Sequence, residues 1–153
     1  MRSGNDDPVM KVYCDTSVLV AAAVSSHPHH AQSMALLRQI RGRKVEAVIS
    51  AHGTAEFCAA LTRAPLTPPV YPSEAWRLLA ENILPYFHVA ALSAAQYTSV
   101  LRQAAEKGWM GGLVYDALHL ATATGNDCKR IYTFNLRHFL QLAPQLQDSI
   151  CSP

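Results

Sequence analysis

The chain is short of charge and of any long apolar run, and each shortage removes a class of protein. Only 16% of its 153 residues are charged, and the formal net charge is +2. That balance fits neither a disordered polyelectrolyte nor a strongly basic nucleic-acid-binding domain. The longest purely apolar run near the N-terminus, Val18–Val24, falls far short of the roughly 20 residues that span a bilayer, so it is no membrane anchor. Asp6, Asp7 and Asp15 precede that run, where a signal peptide would carry positive charge. The four cysteines, Cys14, Cys58, Cys128 and Cys151, form no CxxC pair, which argues against a structural zinc site and for a reduced, cytoplasmic protein. Internal repeats, low-complexity tracts and inter-domain linkers are absent as well.

What is present is apolar sequence with helix and strand periodicity. Half of the residues are hydrophobic, and the length suits one domain with one substantial core. A frayed segment over 1–8 followed by a single domain over 9–150 is expected. Val9–Cys14 alternates as a short strand does, Thr16 and Ser17 stand at an N-cap position, and Val18–Val24 reads as the first helix. Further helices are expected over His29–Arg41, Thr54–Arg63, Ser73–Phe87 and Ser93–Lys107, the last opened by a Ser93/Gln96 capping box. Gly111 and Gly112 introduce a helix that carries Asp116 in its first turn, and a final short helix spans Asn135–Leu142. Strands fall at Val45–Ile49, His88–Ala91 and Arg130–Phe134. Short strands separated by helices predict an α/β domain with a mainly parallel sheet.

Three acids interrupt apolar segments: Asp15 in VYCDTSVLV, Glu56 in HGTAEFCAAL and Asp116 in VYDALHLATA. Carboxylates are costly to bury unless they are paired or bind a metal, so convergence on one cation is the simplest common explanation. In an open parallel sheet, sites form beyond the carboxyl ends of the strands, where Asp15 and Asn135 are both expected. Oxygen ligands without a matching set of histidines or thiolates suit Mg²⁺ or Mn²⁺. A site of that kind supports hydrolysis of a phosphodiester.

Taken in order, YCDTSVLV, TAEFCAAL, VYDALHLATA and YTFNLRHF resemble the PIN-domain family, specifically its VapC-like toxin ribonucleases, over about Lys11–Phe139. The resemblance implies a Rossmann-like, three-layer α/β/α fold and Mg²⁺- or Mn²⁺-dependent endonucleolytic cleavage of RNA. It also implies a cognate antitoxin that covers or enters the active site, and a homodimer. Asp15, Glu56 and Asp116 match the family's acidic ligands. Asn135 stands where many members have aspartate and offers a neutral carbonyl oxygen, which leaves a second metal position without its full charge. Ser17 and Thr133 are placed to donate hydrogen bonds to the carboxylates.

Other readings attach to particular residues. Asp15 could be an ordinary helix N-cap, Glu56 a surface residue, and Asp116 an acid answering a helix dipole. His52 and Glu56 are spaced i, i+4 and could face one ion, and His27, His29 and His30 form a compact tract. His119 reads as a packed or hydrogen-bonded histidine, and His138 as a helix-surface residue. Arg38, Arg41, Arg43 and Lys44, with Lys129, Arg130 and Arg137, are candidates for RNA phosphates or else solvated helix ends. Trp76 and Trp109 are candidate core or interface aromatics. As a whole-chain alternative, the domain could be a catalytically weak PIN-like module that binds RNA or protein. A phosphotransferase with Asp15 as nucleophile fares worse, because Ser17 stands where that chemistry expects a second aspartate.

Overall fold

The computed structural model describes residues 8–153. Apart from the exposed Pro8, the segment 1–8 expected to fray lies outside the described residues. The elements run β1 (Lys11–Cys14), α1 (Thr16–Ala23), α2 (His30–Arg41), β2 (Glu46–Ser50), α3 (Ala51–Arg63), α4 (Pro72–Asn82), β3 (Phe87–Ala90), α5 (Ala94–Lys107), α6 (Gly112–Gly125), β4 (Arg130–Tyr132), α7 (Leu136–Leu142) and β5 (Ile150–Cys151). All strand pairings are parallel, and the sheet order is β3-β2-β1-β4-β5.

The pleat divides the core into two layers. Val12 and Cys14 of β1, with Ala47 and Ile49 of β2, pack against Leu19, Leu37, Phe57 and Leu79 of helices α1 to α4. Tyr13, Val48, Ile131 and Ile150 point the other way, onto Val100, Leu118, Leu120 and Phe139 of α5 to α7. A one-residue slip of β1 would exchange its two faces, so apolar residues on both sides fix the register. Sheets covered by helices on both faces carry near-continuous apolar strands, which is why VYC and AVIS show little polar alternation. Among the described residues, no helix is long and apolar enough to cross a membrane.

The α/β class, the parallel sheet and the capping box agree with the sequence expectations. Ser93 accepts from the Gln96 backbone while the Gln96 side chain accepts from the Ser93 N–H, and Gly108 closes α5 with φ 70°. Three boundaries differ for physical reasons, and one strand is additional. The helix expected to reach Phe87 stops at Asn82, ahead of Pro85, whose ring restricts the preceding residue and removes a donor. Asp15, not Thr16 or Ser17, is the N-cap of α1. Strand β4 ends at Tyr132 because Thr133 and Phe134 turn aside toward Asp15 and Ser17. Strand β5 was not expected; it is a two-residue edge whose ladder begins with the Ile131 N–H donating to the Ser149 carbonyl.

Gly53 is the one glycine where close approach decides the residue. A Cβ there would lie 2.8 Å from Ser50 Oγ, which caps α3 by accepting from the Gly53 N–H, and 3.3 Å from His119 Cε1. Losing the cap costs about 1 kcal/mol, whereas alanine would return at most about 1 kcal/mol of helix propensity. Displacing the His119 ring adds to the loss. Gly53→Ala should therefore lower the urea midpoint, whereas Gly125→Ala, whose new methyl meets nothing nearer than Gln96 Nε2 at 4.0 Å, should leave it unchanged or raise it.

Candidate active site

In sheet order, β1 and β4 are neighbours reached by crossovers on opposite faces, so their carboxyl ends flank the topological switch point where ligands bind in such folds. Asp15 directly follows β1 and is 2% exposed. Its backbone N–H donates to the Tyr132 carbonyl at 3.0 Å, extending the β1–β4 ladder by one step. One carboxylate oxygen accepts from the Ser17 N–H at 2.6 Å and the Ser17 hydroxyl at 2.5 Å; the other accepts from the Thr133 hydroxyl at 2.6 Å. Those two hydroxyls are themselves fixed, because Ser17 Oγ accepts from the Phe134 N–H and Thr133 Oγ1 from the Asn135 N–H. Asp15 is therefore a helix cap and a rigidly oriented carboxylate at once. Both roles follow from a strand that ends one residue before a helix begins.

Asp116 lies beyond the first turn of α6, because the helix starts at Gly112 after Gly111 with φ 57°. The helix-dipole account of this acid is therefore set aside. Burial pushes its carboxyl above the usual carboxylate range, the hydrogen bond from His138 opposes that, and the charge of nearby Asp15 raises it further. His138 Nδ1 sits 3.0 Å from Asp116 Oδ2, although its ring is half exposed. Sequence reasoning left His138 on the surface; only the meeting of α7 with α6 reveals this role.

Glu56 projects from α3 into a histidine pair. Its Oε1 lies 3.0 Å from His52 Nε2 on the same helix and 3.3 Å from His119 Nε2 on α6. Burial alone would raise this carboxyl, but the contacts to His119 and His52 outweigh it and hold the group at about 2. Neither contact is an aligned hydrogen bond: His52 Nε2 and Glu56 Oε1 are buried polar atoms with no hydrogen-bond partner, as is Thr16 Oγ1. His119 is packed, as expected from sequence, with Nδ1 2.5 Å from the Tyr13 hydroxyl and its ring 4.4 Å from that of His52. It also supplies the third donor that the i, i+4 pair lacked.

The charge of Asp15 raises the Asp116 carboxyl, and His119 lies between the two regions, lowering both Glu56 and Asp116. The carboxylates do not close into one knot. Among the described residues, the group with all ligand atoms within 4.8 Å is His52, Glu56 and His119. Asn135 is exposed at the N-cap of α7 and caps nothing with its side chain. Together with Thr16, Ser17 and Glu56 it lines a cleft of about 550 Å³, walled by His29 stacked on Phe134 with ring centroids 4.3 Å apart.

The basic run is not at this site. Arg43 lines a depression with Lys11 and Glu46 at the opposite, amino ends of the strands, and Arg41 hydrogen-bonds Asn82 and stacks on Tyr86. Of the cations considered, Arg137 lies in the first turn of α7, beside Asn135. Trp76 is exposed, whereas Trp109 packs against the α5–α7 layer beneath Lys107.

A carboxyl held low in the folded state stabilises it fully above the unfolded value near 4.3, and that stability is lost as pH falls toward the folded value. In chelator, wild-type protein should be more stable to urea than Glu56→Gln near pH 5, and the gap should narrow by about pH 3. A gap that widens on acidification would contradict the geometry of the histidine pair.

Comparison with curated proteins finds no match. Among solved structures, the chain is similar to VapC20 of Mycobacterium tuberculosis, described as a Sarcin-Ricin loop cleaving toxin, at 15% identity and a TM-score of 0.64, over 80% of this chain and 88% of that one. It is similar to FitAcB from Neisseria gonorrhoeae at 17% identity and a TM-score of 0.62, over 93% and 96% of the two chains. These likenesses show the shared fold. The family model of the PIN domain matches residues 12–143, from β1 through the end of α7, and the chain belongs to the PIN-domain family.

Proposed function

We propose that this chain is a divalent-metal-dependent endoribonuclease that hydrolyses RNA phosphodiester bonds, and that it is the toxin of a toxin–antitoxin pair. One observation carries the reading. Two buried carboxylates, Asp15 and Asp116, face each other's charge at the switch point, and neither they nor Glu56 pair with any Lys or Arg among the described residues. Buried charge without a cationic partner is costly, and a hard cation with oxygen ligands removes that cost.

The donor set fits Mg²⁺ or Mn²⁺: Asp15 and Asp116 as principal ligands, Glu56 as ligand or water-orienting group, and Asn135 as a neutral auxiliary oxygen. A bound ion of this class would lower the pKa of water and neutralise the non-bridging phosphate oxygens. Asp15 accepts three hydrogen bonds and keeps one of about four lone-pair positions free, in an orientation set by Ser17 and Thr133. Asp116, raised by burial, is the better proton acceptor of the group; Glu56, held at about 2, is suited to orient a water rather than take its proton. The rings of His29 and Phe134 offer a surface on which a base can stack, and Arg137 a phosphate contact.

RNA as substrate, an antitoxin partner, a homodimer, a cytoplasmic location and a single functional domain over 9–150 rest on the VapC-like motifs. The description of VapC20, whose fold this chain shares, as a Sarcin-Ricin loop cleaving toxin supports RNA as the substrate class. A second reading, a weakly cleaving PIN-like binding module, is favoured by the neutral Asn135, and calorimetric titration with Mn²⁺ separates the two.

Asp116→Asn and Asp15→Asn should each lower Mg²⁺- or Mn²⁺-dependent cleavage of structured RNA by at least about 100-fold, as losing one charge-stabilising group costs in other active sites. Circular dichroism should stay native, and chelator should abolish wild-type cleavage. Full activity in both variants would remove the assignment.

A further inference from the structure

We propose that His52, Glu56 and His119 form a separate site for a borderline transition-metal ion of the Zn²⁺ class, built beside the Asp15–Asp116 pair. Donors about 2.0–2.2 Å from one ion stand about 2.9–3.4 Å apart at octahedral to tetrahedral angles. The separations of 3.0 Å and 3.3 Å from Glu56 Oε1 to the two Nε2 atoms fall in that range. A hydrogen-bonded cluster would give similar distances, but here Glu56 Oε1 and His52 Nε2 are buried without an aligned partner. Both atoms are left with unused bonding capacity in a group whose three ligand atoms lie within 4.8 Å of one another.

The surroundings of the trio favour the same reading. The Tyr13 hydroxyl, 2.5 Å from His119 Nδ1, is placed to accept the Nδ1 proton and leave Nε2 free as a ligand, the outer-shell arrangement common at metal-bound histidines. Gly53 makes room for the His119 ring, because a Cβ there would press on Cε1. Glu56 keeps 36% of its side chain exposed and lines the cleft, while its Oε1 is turned inward beside the buried His52 Nε2. Two imidazoles and one carboxylate are a donor set that zinc takes, whereas magnesium prefers oxygen donors alone.

The binding claim stands without the nuclease reading. Its consequence rests on that reading: an ion held by the two histidines draws Glu56 away from the oxygen site, so Zn²⁺ should inhibit Mg²⁺-dependent cleavage.

Calorimetric titration of the full chain with Zn²⁺, and Co²⁺ absorption as a spectroscopic probe, test the site. Wild type should bind one equivalent, with a cobalt spectrum lacking the thiolate charge-transfer bands that a cysteine site would give. His52→Gln, at a partly exposed position, should weaken binding by at least about 10-fold, and Tyr13→Phe by about 10–100-fold. Asp116→Asn should bind Zn²⁺ as wild type does even if it cannot cleave RNA, which separates this site from the carboxylate pair. No zinc binding by wild type, binding unchanged in His52→Gln, or a thiolate spectrum would each overturn the proposal.

Discussion

Everything at the carboxyl end of this sheet depends on a carboxylate buried where the sheet reverses its winding. Asp15 closes β1, starts α1 and reaches across to Thr133 at the end of β4. A neutral residue could cap the helix, but it could not hold two hydroxyls and a backbone N–H as charge-assisted partners at 2.5–2.6 Å. The partners are themselves held by backbone donors from Phe134 and Asn135, so the loop after β4 takes its path from this one acid. The early end of β4 is therefore part of the site.

Around that anchor, three carboxylates occupy three electrostatic environments. Asp15 accepts from three neutral donors, Asp116 is raised by burial beside a like charge, and Glu56 is pulled to about 2 by two imidazoles. Such separation lets chemically identical groups do different work. Under the proposed function, the fixed carboxylate positions, the raised one accepts a proton and the depressed one orients. The differences come from neighbours on other elements: Thr133, His138 and His119 reach their partners from β4's end, α7 and α6.

The alternation of fold elements was readable because it is local. Apolar periodicity, the Ser93 capping box and Gly108 act within a few residues, and they place most helices and strands near their observed bounds. The acids were readable because charge inside an apolar run is an energetic anomaly visible without a structure. What stayed hidden depends on distant contacts. Whether His138 is a surface residue or Asp116's partner is decided by the packing of α7, and His119 becomes Glu56's neighbour only when α3 and α6 meet at the sheet end. Strand β5 is too short to show a pattern, and the two readings of the basic run near Gly42 stayed open because sequence distance does not tell one end of a parallel sheet from the other.

The two-layer core has a consequence for when this site comes into being. Helix α3, with His52 and Glu56, belongs to the layer laid down first along the chain; α6 and α7, with Asp116, His119 and His138, belong to the second. A chain emerging from the ribosome presents Asp15 and Glu56 well before Asp116 and His119, and Thr133 is missing until β4 has been made. Truncation anywhere before α6 therefore leaves no complete centre. That late assembly is a built-in delay, set by the order of the elements.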